Sequence, residues 1–315
     1  MFPTFPNFSP LKLDDRERHN KYVTDYEPYS DILFTTLHIW WNLDNKLSVS
    51  ILNNNLIIYY HLPFDKENSG YSIVGENDID GSINTIFNYF KEHHMPIKLV
   101  HVPEFVIAKI HHKDSYKIVE EADYAEYILS AKELYELKGK KYASLRYKIN
   151  RFHKETEGKK VEVKSIDLSN VKKIEEVLGF IRKIEKKYPP KNDHLLTEHE
   201  AIKKSLAHYQ QLGLQNMALY VDDELCGIAI FDKVEGHDYY IGHHMKVDYD
   251  LPYASEYLHN QTARKALEEE ITYINIEMDL GIENLRNHKM KLKPVKFFKK
   301  FQIYPEGNSF KATSD

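Results

Sequence analysis

Hydrophobic side chains recur along this chain with two different periods. Intervals of three and four residues, which place side chains on one face of a helix, predict helices over 82–93, 171–187, 198–212 and 253–269. Alternating or continuous apolar runs bounded by turn residues predict strands. These runs are LSVSIL, LIIYYH, YSIVG and IKLVHV in the first half, and 217–221, 225–231, 238–245 and 272–278 in the second. Together they predict an α/β protein with mixed sheets flanked by helices.

The two halves repeat one order of elements: hairpin, strand, helix, strand. The hairpin turns are polar, at Asn53–Asn55 in the first half and at Asp222–Glu224 in the second. Asn and Asp tolerate the left-handed backbone that tight turns need. The repeated order predicts a duplicated fold, with an N-terminal domain at 1–130 and a C-terminal domain at 131–315 that begins with a basic linking helix.

Positive charge is concentrated in two segments. The first basic run, 137–154 (LKGKKYASLRYKINRFHK), has seven Lys or Arg and no acid, and its apolar residues recur at helical spacing. The second basic run, 286–300 (RNHKMKLKPVKFFKK), also has seven and no acid, in a chain of 43 basic and 48 acidic side chains. A solvated basic face is the simple alternative for either run alone. Their joint occurrence in an acidic chain predicts that they fold together into one site for a polyanion.

Composition excludes several classes of protein. Cys226 is the only cysteine, so disulfides and thiolate metal sites are excluded within one chain, and no His or acid triad has ligand spacing. No apolar run approaches the roughly 20 residues of a membrane helix, and the N-terminus lacks a signal-peptide pattern, so we expect a cytoplasmic protein without an integral membrane segment. A net charge of −5 argues against a general nucleic-acid coat protein, although not against a local site.

Three motifs resemble one family. They are Ser30-Asp31-x-x-Phe34-Thr35-x-Leu37-x-x-Trp40, Lys138-Gly139-Lys140-Lys141-Tyr142 with Arg146-x-x-x-Asn150-Arg151-Phe152, and Asp279-Leu280-Gly281-x-x-x-Leu285-Arg286-x-x-Lys289. The chain resembles the soluble stand-alone bacterial proteins that share the catalytic C-terminal domain of phosphatidylglycerol lysyltransferase. That resemblance implies two tandem GNAT-like folds, the acyl-CoA N-acyltransferase fold. It also implies transfer of an aminoacyl group from aminoacyl-tRNA to an anionic lipid headgroup, or to an amine in related enzymes. Tyr147 departs from the small polar residue expected there.

The loops that would hold CoA are acidic. A CoA-dependent GNAT protein should carry a Gly-rich loop after the strand at 238–245, where backbone N–H groups cradle a pyrophosphate. Here the joint reads KVDYDLPYASEYL, with three acids and no glycine, and the first half offers GENDIDGS at 75–82. Because acids repel a pyrophosphate, the loops favour aminoacyl-tRNA over acyl-CoA as the donor. We expect no required cofactor, with aminoacyl-tRNA or acyl-CoA as the co-substrate.

Candidate site residues follow from the motifs and from the chemistry of acyl transfer. Asp279 could act as a base or orient Arg286, and His243 could be a general base, although a structural histidine fits the strand as well. Asn260 could equally be an ordinary helix-surface residue, and the cations could be solvated. The candidates for substrate binding are Arg146, Asn150, Arg151, Asn260, Arg286 and Lys289.

These observations predict a transferase that moves an aminoacyl or acyl group from an activated donor to an amine or hydroxyl acceptor. Its expected partners are tRNA and an anionic lipid or amine acceptor. One alternative is a non-catalytic module on a degenerate duplicated fold, which binds RNA or lipid headgroups through an anion-binding cleft. The other is a CoA-dependent N-acetyltransferase with an unusual loop.

Overall fold

The computed structural model describes residues 1–43, 46–61, 69–189 and 193–307, without the side chains of 193–197. The chain divides into two compact units. Unit 1 comprises Met1–Ala125 and Phe298–Asp315, and unit 2 comprises Glu126–Phe297. Each unit contains helices and one seven-stranded mixed sheet.

The strands are short, and the eight that the sequence analysis predicts are among them. Those of the first part of the chain are β1 (Ser9–Pro10), β2 (Ser48–Leu52), β3 (Asn55–Tyr60), β4 (Gly70–Val74), β5 (Leu99–Pro103) and β6 (Tyr116–Glu120). Those that follow are β7 (Glu126–Ser130), β8 (Val161–Lys164), β9 (Gln215–Val221), β10 (Glu224–Lys233), β11 (Tyr239–Val247), β12 (Tyr273–Asn275), β13 (Lys296–Phe298) and β14 (Lys300–Pro305).

The helices flank these strands. Unit 1 has α1 (Arg16–Asn20), α2 (Phe34–Thr36, continued by a π-helical turn Leu37–Trp41), α3 (Ile79–Glu92) and α4 (Glu104–Ile107). Unit 2 has α5 (Ala131–Glu136), α6 (Ala143–Glu155), α7 (Val171–Lys187), α8 (Asp193–Ala207), α9 (Ala254–Glu268) and α10 (Glu283–Lys291).

The predicted duplication is present in the strand order. The sheet of unit 1 runs β1-β2-β3-β4-β5-β14-β6, and the sheet of unit 2 runs β8-β9-β10-β11-β12-β7-β13. In both, the parallel pair joins the fourth and fifth positions, β4 with β5 and β11 with β12. Both hairpins turn where the sequence predicts, with left-handed backbone at Asn53, Asn54, Asp222 and Asp223. Such turns match the right-handed twist of the strands that they connect.

The sixth strand of each sheet lies far along the sequence from the fifth strand, with which it pairs. β14 pairs with β5 and β6, which places the last described strand in unit 1, and β7 pairs with β12 in unit 2. The units therefore differ from the predicted domains 1–130 and 131–315. The reason is physical: apolar periodicity identifies a strand but carries no information on which edge it joins.

The basic linking helix α6 packs as its apolar stripe predicts. Tyr142, Leu145 and Phe152 are buried in the core of unit 2, and Ile149 packs against it. The ring of Phe152 stacks on Tyr257 of α9 with centroids 4.2 Å apart. Burying each of these side chains stabilises the unit by about 1.5–3 kcal/mol. This packing holds α6 against α9.

Candidate functional site

The sheet of unit 2 opens between its two parallel strands. Tyr239–Ile241 of β11 pair with Tyr273–Asn275 of β12, where β12 ends, while β11 continues to Val247. The register of β11 with β10 shifts at the same point. Ile230 faces His244 and Phe231 faces Gly242, so His243 is the extra residue of a β-bulge. A bulge beside separating strands re-aims side chains and leaves main-chain groups unpaired, which is a frequent arrangement next to binding sites.

His243 lies at this bulge as a buried cation. Its ring nitrogens lie 3.0 Å from the carboxylate of Asp232 and 3.3 Å from that of Glu277, and its side chain has no exposed surface. Burial alone would lower the pKa of His243, but the two carboxylates outweigh it and raise that pKa to about 9. An imidazolium with both nitrogens engaged is ill suited to the role of general base that the sequence suggests for it.

Asp279 holds Arg286 at the end of β12. The carboxylate of Asp279 is fully buried and accepts hydrogen bonds from Nε and Nη2 of Arg286 at 3.0 and 2.9 Å. It also accepts from the hydroxyl of Tyr127 and from the backbone N–H of Gly281. Burial raises the pKa of Asp279, but these donors outweigh burial and leave that pKa below its ordinary value. Asp279 therefore orients Arg286, which is one of the two roles expected for it.

Lys289 fixes α10 to the same place. Its ammonium group donates to the carbonyls of Ile276 and Met278 at 2.5 Å, and it lies 5.8 Å from the ring centroid of Tyr127. The side chain is buried. Arg286 and Lys289 are thus brought together with Asp279 beside the opening between β11 and β12.

The other candidates have different surroundings. Nη1 of Arg146 donates to the carbonyls of Leu137 and Gly139, and Arg151 pairs with Glu155 at 2.6 Å on α6. Asn150 is exposed on α6. Nδ2 of Asn260 donates at 2.9 Å to the carbonyls of Leu134 and Tyr135. Because the last carbonyls of a helix have no partner within it, Asn260 completes the hydrogen bonding of α5, a structural role.

Three helices meet at a cluster that sequence reasoning did not single out. Lys148 of α6 pairs with Glu256 of α9 at 2.7 Å. One turn further along α9, the ring of His259 lies 5.8 Å from that of His288 on α10. Lys148 and Glu256 are both close enough to His288 to affect its pKa. The only sequence signal is the spacing of Glu256 and His259, which puts them on one face of α9. We call Lys148, Glu256, His259 and His288 the three-helix cluster.

Most of the cations in the two basic runs have a partner within the protein. Five of the seven cations in each basic run have a partner. In the first run these are Lys138 with Glu136, Lys141 with Glu133, Arg146 with carbonyls, Lys148 with Glu256 and Arg151 with Glu155. In the second run these are Arg286 with Asp279, Lys289 with carbonyls, Lys296 with two tyrosine rings, Lys299 with Glu120 and Lys300 with Asp31. One polyanion pocket formed by all these cations, the sequence prediction, does not match this distribution.

In both loops where a CoA-dependent GNAT protein would bind the pyrophosphate, residues of the loop contact other residues of the protein. After β11, the N–H groups of Asp250 and Leu251 donate to the side chain and the carbonyl of Asp248. In the loop after β4, a Cβ at Gly75 or Gly81 would collide with the side chains of Asn55 and Asp78 respectively. These glycines make room for neighbouring side chains of the protein itself. The contacts of these amides and glycines are therefore made within the protein itself.

The fold defines the class of protein. The similar solved structures include a conserved protein of unknown function from Bacteroides thetaiotaomicron, 23% identical, with a TM-score of 0.81 over 97% of this chain and 100% of that one. They also include the C-terminal domain of a putative lysylphosphatidylglycerol synthetase from Agrobacterium fabrum (14%, TM-score 0.61, 93% and 92%) and L-PGS from Bacillus licheniformis (16%, 0.60, 94% and 93%). The expected fold, two tandem GNAT-like folds, is confirmed.

The family model of the C-terminal domain of phosphatidylglycerol lysyltransferase matches residues 30–304. The chain therefore belongs to that family, as its motifs indicate. Comparison with curated proteins finds no match.

The described part of the chain also bears on membrane insertion and metal binding. In the described ranges, no helix is both long and apolar enough to cross a bilayer. Within the same part of the chain, no group of three or more His, Cys, Asp or Glu residues is arranged to hold a metal ion.

Proposed function

We propose that this chain is a transferase that moves an aminoacyl or acyl group from an activated ester to an amine or hydroxyl acceptor. The proposed donor is aminoacyl-tRNA, and the proposed acceptor is an anionic lipid headgroup or an amine. The observation that carries the proposal is the pair Arg286 and Lys289, held by Asp279 and by main-chain carbonyls at the open end of the β11–β12 pair.

Arg286 is the group best suited to bind an anion. The carboxylate of Asp279 binds one edge of the Arg286 guanidinium, while 41% of the Arg286 side chain stays exposed. A guanidinium that is oriented by a buried carboxylate and still reachable from solvent can bind a phosphate with little loss of side-chain entropy. Beyond Gly242, β11 continues without β12 as a partner. The main-chain groups of this part of β11 support the binding of an extended acyl or aminoacyl group.

Two loops support the proposed donor. Asp248 binds amides of the loop after β11, and the side chains of Asn55 and Asp78 fill the space beside the glycines of the loop after β4, which favours a carrier other than CoA. Membership of the lysyltransferase family supports an aminoacyl group and a lipid acceptor, and this is carried to the present chain as part of the proposal.

A direct transfer assay tests the proposal. The full chain is incubated with tRNA charged with radiolabelled amino acids, or in parallel with labelled acyl-CoA, and with phosphatidylglycerol vesicles or small amines as acceptors. We expect label to move from tRNA to one acceptor class. Two variants, Asp279→Asn and Arg286→Ala, should each raise KM roughly 10-fold or more. The first weakens the ion pair that orients Arg286, and the second removes the guanidinium. No transfer from charged tRNA to any acceptor would refute the proposal.

Arg264→Ala provides a matched control. Arg264 is an exposed arginine of α9 that forms a 3.4 Å ion pair with Glu268, so it shares the chemistry of Arg286 without its place at the opening. This variant should keep wild-type KM. An equal loss in Arg264→Ala and Arg286→Ala would show that the effect is one of general charge.

A second candidate, the non-catalytic anion-binding module, is favoured by one observation. Both residues predicted to be catalytic are engaged, His243 between two carboxylates and Asp279 with Arg286 and Tyr127. Binding of uncharged tRNA or of anionic vesicles that survives His243→Ala and Asp279→Ala, with no turnover in the wild type, would support this candidate. Turnover in the wild type would exclude it.

A further inference from the structure

The three-helix cluster contains two histidines that the proposed function has not used. His259 and His288 are half-buried, and their ring centroids are 5.8 Å apart. Among the described residues, neither ring has a hydrogen-bond partner on its nitrogens. This contrasts with His243, whose two nitrogens are held by carboxylates, and with His244, whose Nε2 lies 2.9 Å from the hydroxyl of Ser205. Unpaired imidazole nitrogens with access to solvent can exchange protons with a bound molecule.

The cluster borders the proposed site. Lys289, next to His288, donates to the carbonyls of Ile276 and Met278, which follow β12 where its pairing with β11 ends. The helix α9 that carries His259 packs against β10, β11 and β12. The two histidines therefore face each other between α9, which packs on the strands of the opening, and α10, which Lys289 anchors to the carbonyls that follow β12.

We propose that His288 is the proton-accepting group of the transfer reaction and that His259 positions it. The inference rests on the proposed function. The acceptor's N–H or O–H gives its proton to His288 while its nitrogen or oxygen forms a bond to the ester carbonyl carbon. The bond from that carbon to the donor's alkoxide oxygen breaks, and the proton passes from His288 to this leaving oxygen.

The electrostatic surroundings suit this role. The charged and titratable groups that face His288 are Lys148 on α6, Glu256 and His259 on α9, and Lys289 and Lys291 on α10. Burial lowers the pKa of His288, Glu256 opposes that effect, and the lysines add to it. Burial and the neighbouring His288 and Lys289 lower the pKa of His259 to about 3. Both rings are thus neutral at pH 7, and His288, which has the nearby carboxylate, is the better base of the two.

The test compares His288→Gln and His259→Gln with the wild type in the transfer assay, over pH 5.5 to 8.5. Glutamine keeps a polar group near Nε2 but cannot accept a proton. We expect kcat of His288→Gln to fall roughly 100-fold or more, with KM nearly unchanged, and the acid limb of its pH profile to disappear. Free imidazole should restore part of the activity of His288→Ala. The control is His112→Gln, an exposed histidine of unit 1, which should behave as the wild type.

A second measurement does not depend on turnover. Diethyl pyrocarbonate modifies only neutral imidazole, so the reactivity of His288, read by peptide mass spectrometry, should fall only at a pH below the ordinary histidine pKa of about 6.5. If the wild type transfers label and His288→Gln keeps the same kcat, the inference is overturned and the proposed function stays intact. A loss of His288 reactivity centred at or above a pH of about 6.5 would overturn the inference as well. A wild type without transfer would refute the proposed function and this role with it.

Discussion

The buried histidine at the β-bulge should make the stability of unit 2 depend on pH. The pKa of His243 is raised from 6.5 to about 9 because Asp232 and Glu277 outweigh the effect of burial. A histidine whose pKa is higher in the folded than in the unfolded state stabilises the fold when it is protonated. Its contribution is complete below pH 6.5 and is lost as the pH rises through about 9. At about 1.4 kcal/mol per pKa unit, this difference corresponds to about 3 kcal/mol.

The perturbation is the double variant His243→Gln with Asp232→Asn, which replaces the charged pair by a neutral one that can still hydrogen-bond. Urea unfolding of both proteins, followed by far-UV circular dichroism at pH 6, 7.5, 9 and 10, gives the free energy of unfolding at each pH. Relative to the variant, the wild type should lose about 3 kcal/mol between pH 6 and 10, a midpoint shift of roughly 1–3 M urea. Trp40 and Trp41, the two tryptophans of the chain, both lie in unit 1, so tryptophan fluorescence provides an internal control. Parallel pH profiles of wild type and variant would refute the assignment of a buried imidazolium.

Three further predictions follow from the charged and polar contacts. Lys300→Met should destabilise unit 1 by about 3–5 kcal/mol, because it leaves Asp31 buried without the ammonium 2.5 Å away. Adding Asp31→Leu should restore most of that loss in urea unfolding. Asn260→Ala should lower the free energy of unfolding by about 1–3 kcal/mol and leave the KM of transfer unchanged, since its side chain serves the carbonyls of α5. If tRNA binds through the cations of the basic runs that lack a partner, log K against log salt should have a slope of about −3 in a binding titration. A slope near −10 would mean that the compensated cations take part too.

Local features of the fold were predictable because they are encoded in short stretches. Period-two and period-3.6 patterns identify strands and helices without knowledge of the rest of the chain. The left-handed turns at Asn53 and Asp222 follow from residue type alone. The apolar stripe of α6, with Leu145 and Phe152 in the core, is likewise a property of thirteen consecutive residues.

Sheet membership of β7 and β14 was not predictable in this way. Neither segment is among the predicted strands, and the boundary at residue 130 assigns each to the nearest half of the chain. The paired residues Ser130 and Tyr273 are 143 positions apart in the sequence, and Val102 and Phe301 are 199 positions apart. Only the pairing of main-chain groups across such distances decides the neighbour of a strand.

The same limit applies to the candidate site, and it explains why charge counts along the chain misled in one respect. A run of cations without an acid has no local partner, and it therefore looks available to a ligand. Folding brings carboxylates from outside the runs to these cations: Glu256 and Asp31 come from distant segments to Lys148 and Lys300, and Asp279, seven residues earlier in the chain, pairs with Arg286. Arg286 keeps 41% of its side chain exposed while a buried carboxylate, that of Asp279, orients its guanidinium. The functional information therefore lies less in the number of cations than in where a buried acid leaves part of a guanidinium exposed, and that acid lies four residues beyond the end of β12.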